Sequence, residues 1–145
     1  MTRKLAVNGG AAVFALLEEL SAIVKRVEAS NDPAFGTTGP KLRDALAALD
    51  RASRWLLERV TSTPNDALAG ATPYLRLFGS TLGGCMLAGE ALAVRDLGEA
   101  IGEPQRYVTL ARFFAENISV QAGALEKTVT DGAEAVNAAD AVLLG

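Results

Sequence analysis

Apolar residues recur at steps of three and four in four separate segments of this chain, with glycine and proline in the gaps between them. The clearest segment runs from Leu42 to Val60, where the steps are four, three, four, three and four and one of the six positions is a serine, Ser53. This spacing puts the apolar side chains on one face of a helix and is typical of a bundle helix. The sequence contains no run of alternating apolar residues bounded by tight turns, which is the pattern of a strand.

Glycine and proline divide the chain into four long helices and a short last one. Thr72 is a suitable N-cap for the third helix, with Pro73 in its first position, and Glu103-Pro104 begins the fourth. We expect the five helices at residues 10–30, 38–60, 72–96, 103–130 and 133–144. The predicted fold is all-α: an antiparallel up-and-down bundle of four long helices with a short C-terminal helix, in a single domain over residues 1–145.

The third helix is apolar on nearly all sides, which predicts that it is the central and most buried one. Its inner face is expected to carry Leu75, Phe78, Leu82 and Met86, while other apolar residues lie on the opposite side. The helix also contains glycines at positions 79, 83, 84 and 89. We interpret them as sites of close packing against neighbouring helices, because a phosphate-binding glycine loop would require a preceding strand.

Composition excludes several kinds of chemistry. Alanine accounts for 27 of the 145 residues, and half of the chain is hydrophobic, as expected for a packed helical domain. The net charge of −3 argues against nucleic-acid binding. With no histidine and one cysteine, the chain cannot build a Ser-His triad, a Cys/His zinc site or an internal disulfide. No catalytic, cofactor-binding or metal-binding residue is predicted.

The sequence predicts no membrane segment. No targeting segment is convincing, and the longest uncharged run in the middle of the chain, Leu77 to Gly89, is shorter than the roughly 20 residues of a membrane span. Cys85 lies inside this run and is expected to be a buried small apolar residue. We therefore expect a cytoplasmic protein.

Two sets of side chains stand out as candidate functional or structural residues. Arg112 and Glu116 are four residues apart on the fourth helix, which predicts a local structural ion pair. Phe14, Trp55 and Phe113 fall off the inner faces of their helices. These aromatic residues indicate either an interaction surface or wider packing within the bundle, and the sequence leaves both interpretations open.

Four short motifs, in order along the chain, resemble the C-terminal helical extension of a subset of bacterial acyl-CoA dehydrogenases. Arg3-Lys4-Leu5 with Gly9-Gly10-Ala11-Ala12 is similar to the junction with the dehydrogenase body, and Gly132-Ala133-Glu134 to a motif near the end of the extension. The two central motifs are Tyr74–Gly84, which reads Y-L-R-L-F-G-S-T-L-G-G, and Ala111–Glu116, which reads A-R-F-F-A-E. One departure is Val120, where the family often has a proline that would account for a kink in the fourth helix.

The resemblance implies that the parent protein is an FAD-dependent acyl-CoA dehydrogenase of fatty acid metabolism, an oxidoreductase acting on CH–CH bonds. The catalytic base, the FAD contacts and the acyl-CoA pocket of that family belong to the dehydrogenase body, and none of their motifs is present here. The chain is therefore expected to be inactive and without a cofactor of its own, either as an excised C-terminal domain or as a separate subunit. Its partner would be the dehydrogenase body, and its role would be docking, oligomerisation or covering part of the active-site entrance.

Two alternatives from other functional classes stay open. A stand-alone helical protein that homodimerises would show the same periodicity and the same outward aromatic residues. A bundle that binds a small ligand between its helices would need a cavity near Tyr74, Arg76 or Arg112.

Overall fold

A computed structural model describes residues 5–98 and 103–143, apart from the side chains of residues 140 and 141. The described residues form helices and turns without a strand, which confirms the all-α fold class. We number the α-helices in chain order: α1 (Ala11–Ala29), α2 (Thr38–Ser62), α3 (Pro64–Ala69), α4 (Ala71–Leu97), α5 (Pro104–Asn117), α6 (Ala122–Asp131) and α7 (Ala133–Leu143). Short 3-10 helices occupy Val7–Gly10, Pro33–Phe35 and Ser119–Gln121. Arg3, Lys4 and Leu144, which entered the predictions, lie outside the described residues.

Helices α2 and α4 form the centre of the fold. They contact each other, and both contact α1, α5 and α6. The core of α2 is the predicted seam, in which Leu42, Leu49, Ser53 and Leu56 are almost completely buried. Helix α4 is therefore central, as predicted, but the prediction that it is the most buried helix is wrong, because ten of the 25 residues of α2 are buried and nine of the 27 residues of α4.

Two contacts show the direction of one neighbouring helix pair. Glu28 near the end of α1 binds Arg43 near the start of α2, whereas Phe14 near the start of α1 lies under Arg54 late in α2. Helices α1 and α2 are thus antiparallel. In α5, Phe114 packs on Gly83 of α4. The up-and-down order of the complete bundle stays a prediction.

The start of α4 differs from the prediction. Thr72 is not its N-cap, because α4 begins at Ala71 and its N-cap residue is Gly70. The reason is a short helix, α3, in the segment that was expected to be a break. The amide of Gly70 donates to Asp66 in α3, and the amide of Tyr74 donates to Gly70, so the chain continues in near-helical geometry. Pro73 fits within the first turn of α4, where the amides have no partner inside the helix.

The predicted fourth long helix is interrupted at residues 118–121, where a 3-10 turn separates α5 from α6. Residue 120 is a valine where a proline was expected from the resemblance, so the interruption forms without a proline. It turns Ser119 inward, where its hydroxyl donates to the Ser80 carbonyl of α4 over 3.1 Å. Ile118, predicted on the inner face, is consequently exposed.

Candidate interaction surfaces

Two polar side chains of the core, Tyr74 and Ser53, are hydrogen-bonded to each other, whereas the buried Thr81 hydroxyl has no partner among the described residues. Tyr74 is 1% exposed, and its hydroxyl lies 2.8 Å from the Ser53 hydroxyl. Ser53 donates to the Leu49 carbonyl over 2.7 Å, so the tyrosine is the donor in the shared hydrogen bond. Burial raises the pKa of Tyr74. The phenol therefore stays neutral, and the pair joins α2 to α4.

Cys85 is completely buried in α4, as the sequence predicted. Burial raises the pKa of its thiol to about 12. Because the thiolate is the nucleophilic form of cysteine, this residue acts as a small apolar side chain of the core.

The Arg112 and Glu116 side chains are close together on α5, with Nε and Oε1 3.0 Å apart. The same Glu116 oxygen accepts hydrogen bonds from the Thr37 amide over 3.2 Å and from the Thr37 hydroxyl over 2.9 Å. These bonds, first of all the one from the Thr37 amide, lower the pKa of Glu116. The cluster therefore attaches the segment before α2 to α5, a role that helical spacing alone did not indicate.

Gly36 lies beside this cluster and has a φ of +51°, a left-handed conformation that favours glycine. A Cβ atom at this position would lie 2.5 Å from Arg112 Nε. The turn between α1 and α2 therefore needs glycine both for its backbone conformation and for the close approach of the arginine.

The structure does not bring the three candidate aromatic residues together. Phe14 is half-buried and lies 4.5 Å below the guanidinium of Arg54, which Asp50 holds in place. Trp55 is half-buried and lies 5.3 Å from Arg59. Phe14 and Trp55 each pack against the core and line separate grooves.

Phe113 differs from the other two aromatic residues, since it is 56% exposed. It lines a groove of about 930 Å³ along α5, which we call the α5 groove. Leu110 lies in the same groove and is 49% exposed. Among the described residues, the groove is lined by Glu103, Gln105, Arg106, Tyr107, Thr109, Leu110 and Phe113.

The outer face of α4 was missed by sequence reasoning. Leu75 and Met86, both predicted to be inside, are 54% and 56% exposed, and Leu82 is only half-buried. Together with exposed Gly79, these residues form one row, which we call the α4 stripe. The side that faces the core instead carries small residues together with a few large ones: Tyr74, Leu77, Thr81, Gly84, Cys85, Ala88, Ala91, Leu92 and Val94.

The glycines of α4 explain why small residues face inward. A Cβ at Gly84 would lie 2.5 Å from Ser119 Oγ and 2.6 Å from Leu42 Cδ2, so the neighbouring segments approach the bare backbone. A Cβ at Gly83 would lie 3.3 Å from Phe114 Cζ, and a Cβ at Gly89 would lie 3.3 Å from Ile23 Cγ2, so these two positions are tightly packed but less so than Gly84. The close-packing interpretation is wrong for Gly79, which has nothing within 4 Å. An inner face rich in small residues was the signal available in the sequence.

The described residues include no group of three or more potential metal-ligating side chains close enough to hold an ion. Two helical segments, Val7–Ala29 and Ala71–Leu97, are long and apolar enough to cross a membrane by length and composition alone. The expectation of no such segment considered only uncharged runs, whereas both segments carry a few charges. Core helices and signal sequences meet the same criterion, so it assigns neither segment to a membrane.

Fold and surfaces together define a small all-α domain with two exposed apolar regions and a core whose polar groups are satisfied mainly by internal contacts. Comparison with protein families identifies it further: the family described as acetyl-CoA dehydrogenase C-terminal like matches residues 16–140. The chain belongs to this family, which confirms the resemblance noted in the sequence. No curated protein and no solved structure matches the chain.

Proposed function

We propose that this chain is a non-catalytic helical domain that docks onto the body of an FAD-dependent acyl-CoA dehydrogenase. The observation that carries the proposal is the family match over residues 16–140. The parent enzyme would be a bacterial, cytoplasmic flavoprotein of fatty acid metabolism. Its FAD and catalytic base would reside in the body, and this chain would contribute to assembly.

The chemistry of the core supports an architectural role. Tyr74 is occupied by its hydrogen bond with Ser53, and burial keeps the Cys85 thiol protonated. Arg112 is held by Glu116. Two of the residues that a ligand site between the helices would use, Tyr74 and Arg112, are therefore engaged in contacts of the chain itself.

The α5 groove is the surface we assign to docking. Phe113 and Leu110 are exposed there, next to the polar side chains of Arg106 and Gln105. An apolar centre with a polar rim is the usual anatomy of a protein interface, and aromatic residues often dominate its binding energy. Of the three aromatic residues considered as an interface, we therefore keep Phe113, because Phe14 and Trp55 are covered by arginines.

The test is binding of the chain to a dehydrogenase body from the same organism, measured by isothermal titration calorimetry. Phe113→Ser removes a side chain whose full burial is worth roughly 1.5–3 kcal/mol, so the Kd should rise about tenfold or more. Leu68→Ser is the matched control, because Leu68 is 62% exposed on α3, away from the groove. Equal Kd values for both variants would refute docking through the α5 groove.

A second measurement addresses the location of the flavin. We expect the purified chain to be colourless and inactive with acyl-CoA, and the body to carry the flavin absorption. A flavin spectrum from the chain alone, or dye reduction that depends on acyl-CoA, would contradict the non-catalytic role.

A further inference from the structure

The α4 stripe has the spacing of a helix-pairing seam but no partner helix within the described residues. Leu75, Gly79, Leu82 and Met86 follow one another at steps of four, three and four, the pattern found where two helices pack along their length. Contacts to Ile23 of α1 and to Phe114 of α5 border this row on its two sides. The stripe is therefore an outward apolar face between two flanking helices.

Two charged residues border the stripe without an ion pair among the described residues. Arg76 and Glu90 are both exposed, and both lie on the same edge of the row by helical geometry. They are fourteen positions apart, which is about 21 Å along a helix. Their charges are opposite, yet they cannot meet within one copy of α4.

The geometry points to a second copy of this chain as the occupant of the stripe. We infer that two α4 helices pack antiparallel around a two-fold axis near Leu82 and Gly83. The midpoint between Arg76 and Glu90 is position 83, so Arg76 of each copy lies level with the other copy's Glu90. Because both residues are on the same edge of the stripe, the two-fold axis brings them together twice.

A second pairing has nearly the same midpoint. Gly79 and Met86 are centred between positions 82 and 83, so the same axis places Met86 of one copy over Gly79 of the other. Gly79 has open space around it, which leaves room for the methionine side chain. A parallel pair would instead place the two copies of Arg76, and likewise the two copies of Glu90, level with each other on opposite edges of the stripe, so neither charge would meet an opposite one. This self-association goes beyond the proposed docking, which uses the α5 groove.

A charge exchange tests the pairing directly, with the dissociation constant of the dimer measured by sedimentation velocity over a concentration series. Arg76→Glu and Glu90→Arg should each raise the Kd roughly tenfold, because each creates two like-charge contacts. The double variant Arg76→Glu/Glu90→Arg should return the Kd to the parent value. Lys127→Glu, an exposed change on α6, is the control and should leave the Kd unchanged.

A cross-link near the axis provides an independent readout. Leu82→Cys should give a covalent dimer on mild oxidation, whereas Leu68→Cys and the parent chain should not, because Cys85 is buried. A parent chain that stays monomeric throughout the series would overturn the inference. The inference would also be overturned if the Kd of the double variant were as high as those of the single variants. If Met86→Glu abolishes binding to a dehydrogenase body instead, the body occupies the stripe and the self-association is wrong.

Discussion

Helices α2 and α4 are of similar length and both lie at the centre of the bundle, but they differ in what they leave in solvent. Helix α2 buries four leucines together with small residues and places most of its charged residues outside. Helix α4 buries a similar mixture of large and small residues, yet it leaves Leu75 and Met86 in solvent. The difference shows that apolar character decides which face is buried only where charges mark the other face. In α4, close approach of neighbouring segments at Gly84 decides it instead.

The largest expected effect contrasts two leucines, one from each of these helices. Leu49 of α2 is 1% exposed, and Leu49→Ala should lower the free energy of unfolding by about 2–5 kcal/mol through lost burial and a cavity. Leu75→Ala in the α4 stripe should change it by less than about 0.5 kcal/mol. Urea denaturation at low protein concentration measures both. Similar losses for the two variants would mean that the α4 stripe is part of the core.

The next prediction compares two glycines within α4. Gly84→Ala should cost about 1–3 kcal/mol, because its Cβ would meet Ser119 and Leu42. Gly79→Ala should stabilise the chain by roughly 0.5–1 kcal/mol, since it removes a flexible residue from an exposed helix position. The melting temperature should therefore fall in Gly84→Ala and rise in Gly79→Ala. A loss of stability from Gly79→Ala would show that the stripe is packed.

The smallest effect concerns how the two helices begin. The Glu116 carboxylate accepts a hydrogen bond from the Thr37 amide just before α2, whereas the Gly70 amide just before α4 donates to a backbone carbonyl, that of Asp66. Since the pKa of Glu116 is lowered below its ordinary value of 4.5, its contribution is present above that pH and disappears as the pH falls through the lowered value. Glu116→Gln should lower the free energy of unfolding at neutral pH. It should also make that free energy fall less steeply as the pH is lowered below 4.5. If the pH dependence of the free energy of unfolding below pH 4.5 is the same in the variant, Glu116 does not stabilise the segment before α2.

The parts of the fold that were predictable from sequence follow from local patterns. The α2 seam was predictable because residues such as Arg43, Asp50 and Arg54 mark its outer face. In α4, the uncharged run from Leu77 to Gly89 gives no such mark, so the choice of buried face depended on contacts with distant segments. The interruption at residues 118–121 has no proline to mark it in the sequence, and its visible consequence is the long-range contact of Ser119 with Ser80.

The candidate sites divide in the same way. The approach of Arg112 to Glu116 follows from helical spacing, but Thr37, which joins them, is 79 positions from Glu116 in sequence. Off-seam spacing identified Phe113, but it could not show that arginines cover Phe14 and Trp55. A helical wheel describes one helix, whereas these contacts join several.

The orientation of α4 is tested most directly by the reactivity of two adjacent positions toward a thiol reagent. In the native parent chain, Cys85 should remain unmodified until the protein unfolds, because it is completely buried. In the variant Cys85→Ala/Met86→Cys, the introduced thiol should react rapidly in dilute solution and become protected as the concentration rises and α4 stripes pair. Rapid modification of native Cys85, together with a protected thiol at position 86 at every concentration, would contradict the account.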